Sequence, residues 1–357
     1  MQFYTDKKDR EQQFIINVLR CFIHKRCEML AIPKNLNWSR IEFVVTLYNL
    51  ESIFHYVLRE EQVPKSLITQ WNQVRMTTLY KNARSLNESI KIFKILSDKA
   101  IPVVCFRGLT MANCHYPDPG LRPMEDVDLL IRSEDRDGAA DLMEIHGFHP
   151  AKLLRSQLVY HINDTIFEIH WSFLTPKRFK AAIDSETFLG SRQTVDLKEG
   201  RIYRLSYEHE LIGLVAHSFS HHELHSLIQL VDIALFMVRS DINWEYIVSW
   251  CGQAHLTNMF LFTFTLINHV FALGLEKKLE CFEQTLPHRA RKACDAYMKR
   301  FFGKDNLIYY IRRKKNLLFI AESPYAKLRQ VIRFFCRNEF LDVWKIISCQ
   351  FQKPRFD

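Results

Sequence analysis

The sequence predicts an α+β fold: a small mixed-sheet core flanked by N- and C-terminal helical parts. Three observations predict it. Runs rich in β-branched and aromatic residues, punctuated by turn signals, are confined to residues 96–205. Apolar residues recur at helical spacing before and after that stretch. Only 10 glycines and 11 prolines occur in 357 residues, too few for a loop-rich architecture. We divide the chain into an N-terminal helical region at 1–95, a core at 96–205, and a C-terminal helical region with a basic tail at 206–357. With 48% hydrophobic residues the chain can bury a substantial core, which separates it from disordered low-complexity sequences.

Taken in order, Phe14, Val18, Leu19 and Phe22 lie on one helical face, and Asn37-Trp-Ser-Arg-Ile-Glu reads as a capped helix start. The apolar run Ile101-Pro-Val-Val-Cys-Phe106 predicts a strand that turns at Gly108 into a short helix. A second apolar run, Leu129-Leu-Ile131, follows Asp126-Val-Asp128 and predicts another buried strand. Asp135 and Asp137 repeat the Asp-x-Asp spacing, but in Ser-Glu-Asp-Arg-Asp-Gly they read as a solvated helix start. Residues 157–171 read as two strands joined at Asn163-Asp164, a two-residue hairpin turn. Thr194-Val-Asp-Leu and Arg201-Ile-Tyr-Arg-Leu form a further pair around Lys198-Glu-Gly200, and from Ser206 onward the pattern is helical. Residues 259–275 are strongly apolar, yet short for a membrane span and interrupted by Asn268 and His269, so a buried core helix is expected there.

The chemistry concentrates at Asp126 and Asp128. Side chains at i and i+2 of a strand share a face, so the two carboxylates project together from a rigid support. Such a pair can hold two divalent cations about 3.5–4 Å apart, the usual apparatus for in-line displacement at phosphorus. In the run Thr165-Ile-Phe-Glu-Ile-His-Trp171, burial of Phe167, Ile169 and Trp171 leaves Glu168 and His170 on the opposite face, where Glu168 can complete an acidic site.

These residues resemble the DNA polymerase β-type nucleotidyltransferase superfamily, with its glycine turn, Asp-x-Asp, and third acid on a later strand. More closely the chain is similar to the bacterial family of uncharacterised nucleotidyltransferases. The shared features are Ile101-Pro102, Arg107-Gly108, Tyr116-Pro117, Arg122-Pro123, Asp126-Val-Asp128 and Glu168-Ile-His170-Trp171, within residues 95–175. Outside them the likeness is one of layout, with His217, His221 and Asp232 where that family tends to carry histidines and an aspartate. Two positions depart from the pattern. Leu109 follows Gly108 where serine is common, which removes a hydroxyl contact to phosphate, and Arg107 stands where the closer family usually has lysine.

The resemblance implies a metal-dependent nucleotidyltransferase that moves a nucleoside monophosphate from an NTP such as ATP to an acceptor hydroxyl. Asp126, Asp128 and Glu168 would be the catalytic and metal-binding acids, holding Mg²⁺ or Mn²⁺ as two ions. Arg107, Gly108 and Arg122 would contact nucleotide phosphates, and His170, His217, His221 and Asp232 would face the acceptor, a small molecule or a protein. The competing expectation is a catalytically degenerate member that binds RNA or a protein partner.

His217, His221 and His225 stand at i, i+4 spacing, but His222-Glu223 breaks the zincin pattern, so we read histidines lining the cleft, with Asp232 as a possible orienting partner. The formal charge of +9 has a location: residues 281–357 hold 17 Lys/Arg against 7 Asp/Glu, a net of +10, leaving −1 for the rest. That tail, with Arg312-Arg-Lys-Lys315, is a candidate contact for a polyanion or an acidic partner. Nine cysteines lack paired Cys-x-x-Cys spacing, and the charged amino terminus lacks a signal-peptide pattern, so a cytoplasmic protein with reduced thiols and no membrane span is expected.

Overall fold

The computed structural model describes residues 10–26, 30–154, 156–173, 185–222, 224 and 226–283. The basic segment beyond residue 283, including Arg312, Arg313, Lys314 and Lys315, lies outside the described residues.

Seven strands form one mixed sheet in the order β3-β4-β5-β2-β1-β7-β6, from β1 (Val103–Phe106), β2 (Asp126–Ile131), β3 (Pro150–Leu153), β4 (Gln157–Ile162), β5 (Thr165–His170), β6 (Gln193–Leu197) and β7 (Gly200–Arg204). β1 and β2 are antiparallel, β2 and β5 parallel, and β1 meets β7 in parallel at Cys105 and Arg204. The β4–β5 hairpin closes with Ile162 opposite Thr165, and Asn163 takes φ +55°, as a tight two-residue turn requires.

Alternation along the strands divides the interior into two cores. On one face Val103, Cys105, Val127, Leu129, Ile131, Phe167 and Ile169 pack with Leu86, Ile92, Phe93 and Leu96 of the long helix α4 (Lys65–Ser97). To reach that helix the chain passes through α1 (Arg10–His24), α2 (Trp38–Leu47) and α3 (Glu51–Val57), and Asn37 caps α2 by accepting from the Arg40 amide. α5 (Gly108–Thr110) follows β1 and runs into a π turn at Met111–His115, and α6 (Arg136–Ile145) adds Ala139 and Met143 to the α4 face.

The other face carries Val104, Phe106 and Leu130 and meets the larger apolar cluster. Helices from before, between and after the strands build it together: α1 and α3 with α7 (Ser185–Gly190), which lies between β5 and β6, and α8 (Tyr207–His222), α9 (Leu227–Arg239), α10 (Trp244–Ala254), α11 (Thr257–Phe271) and α12 (Glu276–Glu283). The apolar run expected as a core helix is α11, with Phe260, Leu261, Phe262 and Phe264 buried. Among the described residues no helix is long and apolar enough to cross a membrane.

The segment leading into β2 is pinned from outside the sheet. Asn82 of α4 donates to the carbonyls of Pro119 and Arg122 at 2.7 and 2.8 Å, and Arg75 pairs with Asp118. Gly120 lets this segment lie against α4, since a Cβ there would stand 2.9 Å from the Arg75 carbonyl oxygen.

Candidate active site

The parallel pairing of β2 with β5 sets the geometry. Asp128 lies opposite Glu168, Asp126 opposite Ile166, and Leu130 opposite His170. Because Val127, Leu129, Phe167 and Ile169 are committed to the α4 core, Asp126, Asp128, Glu168 and His170 all project toward the opposite, helical side. One ligand atom each from Asp128, Glu168 and His170 lie within 4.8 Å of one another. Asp128 is buried, Glu168 half-buried and His170 buried, while Asp126 is exposed where β2 begins.

His170 occupies the space between the carboxylates: Nε2 stands 2.8 Å from Asp128 Oδ1 and 3.4 Å from Glu168 Oε2. Burial works against a charged imidazole, but the hydrogen bonds to Asp128 and Glu168 outweigh it and raise its pKa. For Asp128, burial favours the neutral acid, yet Arg107, His170 and His217 hold the carboxyl well below the usual carboxylate range. Asp126 goes the other way. Although its side chain reaches solvent, the protein packed around its carboxyl, and then the charges of Asp128 and Glu168, push it up to about 6. The acids therefore crowd one another, and the cluster draws positive charge from Arg107 and His170. The ligand atoms of Asp128, Glu168 and His170, close together and with Asp126 beside them, form a group that could hold a metal ion.

Phe106, the last residue of β1, lies opposite Asp128, so the next residue emerges beside the acids. Arg107 Nη1 donates to Asp128 Oδ1 at 3.2 Å, and its guanidinium lies 4.6 Å from the Phe106 ring centre. The sequence places the turn at Gly108, but the left-handed backbone falls on Arg107, with φ +61° and ψ −120°, and Gly108 opens α5. A Cβ on Gly108 would lie 3.4 Å from Met124 Cβ and 3.6 Å from Arg122 Nη1, ordinary contact distances that place the Arg122 guanidinium alongside the turn. Leu109, the other departure from the family pattern, is fully buried in the α4 core.

Arg122 is held from below. Asp232 of α9, 1% exposed, accepts from Arg122 Nη2 at 2.7 Å, from Arg122 Nε, and from the Tyr116 hydroxyl at 2.8 Å. Asp232 thus partners an arginine and a tyrosine in this brace. His217, on α8, lies within electrostatic reach of Asp128. The side chain of His221 lies outside the described residues, as do Glu223 and His225.

One residue of this neighbourhood escaped sequence reasoning. Glu210 of α8 is fully buried, and its Oε1 accepts from the Arg107 backbone N–H at 2.5 Å. The available signal is an acid, two residues after Glu208, that opens the apolar run Glu210-Leu-Ile-Gly-Leu-Val-Ala216 and reads equally well as an ordinary first-turn carboxylate.

Residues 34–272 match the sequence profile of a family described as uncharacterised nucleotidyltransferase. No curated protein matches the chain. Among solved structures, the chain is similar to the antibiotic-resistance factor ANT(2'')-Ia in solution, at 13% identity and a TM-score of 0.33 over 54% of this chain and 92% of that one. It is similar also to a crystal structure of ANT(2")-Ia in complex with adenylyl-2"-tobramycin, at 14% identity and a TM-score of 0.35, over 46% and 93% of the two chains. A third, an antigenic nucleotidyltransferase-like protein from Paracoccidioides brasiliensis, matches at 14% identity and a TM-score of 0.35, over 59% and 93%.

Proposed function

Because the chain belongs to the uncharacterised nucleotidyltransferase family, we propose that it moves a nucleoside monophosphate from an NTP to a hydroxyl of a small-molecule or protein acceptor. The acceptor oxygen bonds to the α-phosphorus, the bond from that phosphorus to the α–β bridging oxygen breaks, and pyrophosphate leaves with the electron pair. The observation that carries this reading is the register of β2 on β5, which brings the carboxylates of Asp128 and Glu168 to one face with Asp126 beside them.

Asp126, Asp128 and Glu168 would hold the divalent ions, Mg²⁺ or Mn²⁺, with His170 next to two of them. When bound, such ions neutralise the triphosphate and make the acceptor hydroxyl more acidic. Glu168, half-buried and therefore reachable, takes the hydroxyl proton as general base. Arg107 stands where a phosphate oxygen beside Asp128 would need a cation, and Arg122, braced by Asp232, lies along Gly108 on the same side. His170, His217 and His221 are assigned to the acceptor side.

The test is to incubate the protein with each labelled NTP, Mg²⁺ or Mn²⁺, and a lysate, and to follow both labelled product and pyrophosphate. We expect metal-dependent label transfer from at least one NTP. Binding of NTP with no pyrophosphate released from any of them would overturn the transferase reading in favour of a binding module.

A further inference from the structure

We propose that Glu210 is a positioning residue: from α8 it clamps the backbone of the Arg107–Gly108 turn in the conformation that aims the Arg107 guanidinium at Asp128. The consequence for turnover rests on the transferase reading above, whereas the clamp itself does not.

The starting point is the backbone of Arg107. At φ +61° and ψ −120° it occupies a region suited to glycine, because an L side chain there crowds its own peptide units. A glycine stands next in the chain, so local preference would put the turn one residue later. Such a conformation persists only where its surroundings over-determine it. Here the surroundings can be named. The carbonyl of Arg107 accepts from the Met111 N–H at 2.8 Å, its guanidinium bonds Asp128 and lies over Phe106, and its N–H donates to Glu210. The first three contacts lie within the β1–α5 unit and its neighbouring strand. The fourth crosses from a helix 103 residues downstream.

Glu210 is an expensive way to satisfy one amide. It is fully buried, and its second oxygen, Oε2, has no hydrogen-bond partner. An apolar residue would serve packing on α8 better, so the carboxyl is explained by what Oε1 does at the turn. Burial, partly offset by the Arg107 amide and the charges of Arg204 and Arg107, pushes the carboxyl up to about 8. Near neutral pH it therefore acts as an uncharged acceptor, which glutamine reproduces and leucine does not.

The experiment compares Glu210→Gln, Glu210→Leu and Glu210→Asp in the full chain. Exchange of the Arg107 amide with solvent should be slow in the wild type and in E210Q, and faster by about 100-fold in E210L and E210D, where the acceptor is absent or drawn back by one methylene. With the reactive NTP, kcat of E210L and E210D should fall by about 100-fold with KM for NTP changed only a few-fold, and E210Q should stay within about fivefold of wild type. A structural tether alone would lower the melting temperature without dividing kcat from KM. If E210L does not fold, E210D supplies the same comparison. Equal protection of the Arg107 amide in every variant, or a kcat in E210Q as low as in E210D, would overturn the clamp. If the wild type releases no pyrophosphate, the transferase reading fails, and amide exchange alone still decides for or against Glu210.

Discussion

Replacing Asp128 by asparagine should abolish nucleotide transfer while leaving the fold in place, and both halves of that expectation can be sized. Asp128 accepts from Arg107 at 3.2 Å and from His170 at 2.8 Å and is 6% exposed. Asparagine keeps the volume and one acceptor oxygen, so each hydrogen bond weakens from the charged to the neutral class, a loss of about 1 kcal/mol apiece. Opposing this, one of the three crowded carboxylates disappears, and Glu168 remains beside His170 as a counter-charge. The net should stay within about 2 kcal/mol, a melting shift of no more than about 6 °C. Transfer, in contrast, loses a ligand of opposite charge to the cation, which we set at about 1000-fold or more in rate, roughly 4 kcal/mol of barrier.

Pyrophosphate release and calorimetry on the same preparation provide the assay. Titration of Asp126 by NMR gives an independent check, because the negative charge of Asp128 is one cause of its elevation to about 6 and D128N should bring it down. A mutant that keeps more than about a tenth of the wild-type rate, with an unchanged melt, would refute Asp128 as a metal-holding group.

Three further outcomes follow from the packing. Asp232→Asn strands the Arg122 charge in the interior and should cost about 3–5 kcal/mol in urea melts, while D232N combined with Arg122→Met should cost less than the two changes summed; a single-mutant loss under about 1 kcal/mol would deny the brace. Gly120→Ala drives a methyl against the Arg75 carbonyl and Leu79, and should destabilise by about 1–3 kcal/mol by the same measurement. His115, by burial and then the charges of Arg204 and Arg239, and His209, by burial, are both lowered to about 4. Their folded pKa lies below the unfolded value, so the unfolded chain binds the protons first. Their contribution is complete above about pH 6.5 and is lost as pH falls toward 4, up to about 3 kcal/mol each. Urea midpoints should drop across that window, and less steeply in His209→Gln; identical slopes would remove His209 from the account.

How far the chain could be read depends on how local each feature is. The Asn163 turn, the Asn37 cap, the Asp135 helix start and the buried α11 all rest on residues within a turn or two of one another, and their chemistry stands in the sequence. The face-sharing of Glu168 and His170 is likewise a consequence of strand period. What pairs Asp128 with Glu168 is a parallel register between strands 40 residues apart, set by the two cores and not by either segment. The same holds for Asp232, which sequence reading sets beside the histidines and which in the fold meets Arg122 and Tyr116. The displacement of the left-handed backbone from Gly108 to Arg107 could not be anticipated, because its partner Glu210 looks like a surface acid until α8 is placed.

The two arginines beside the acids are not equivalent, and the difference lies in their partners. Arg122 gives Nε and Nη2 to Asp232 and Nη1 to the Pro123 carbonyl at 2.6 Å, so every nitrogen of its guanidinium is already engaged in a buried brace. Moving it would leave the Asp232 carboxylate, 1% exposed, without its counter-charge and with only the Tyr116 hydroxyl as partner, a cost of about 3–5 kcal/mol. Arg107 has one contact through Nη1 at 3.2 Å, long for a charge-assisted bond, and its Nε is buried with no hydrogen-bond partner. On the transferase reading, Asp128 would share its carboxylate between Arg107 and a divalent ion, and the weakly held Arg107 guanidinium would be available to a phosphate oxygen. Arg107 would then be the arginine open to a change of partner, whereas Arg122 would stay in its brace with Asp232 and Tyr116 behind it.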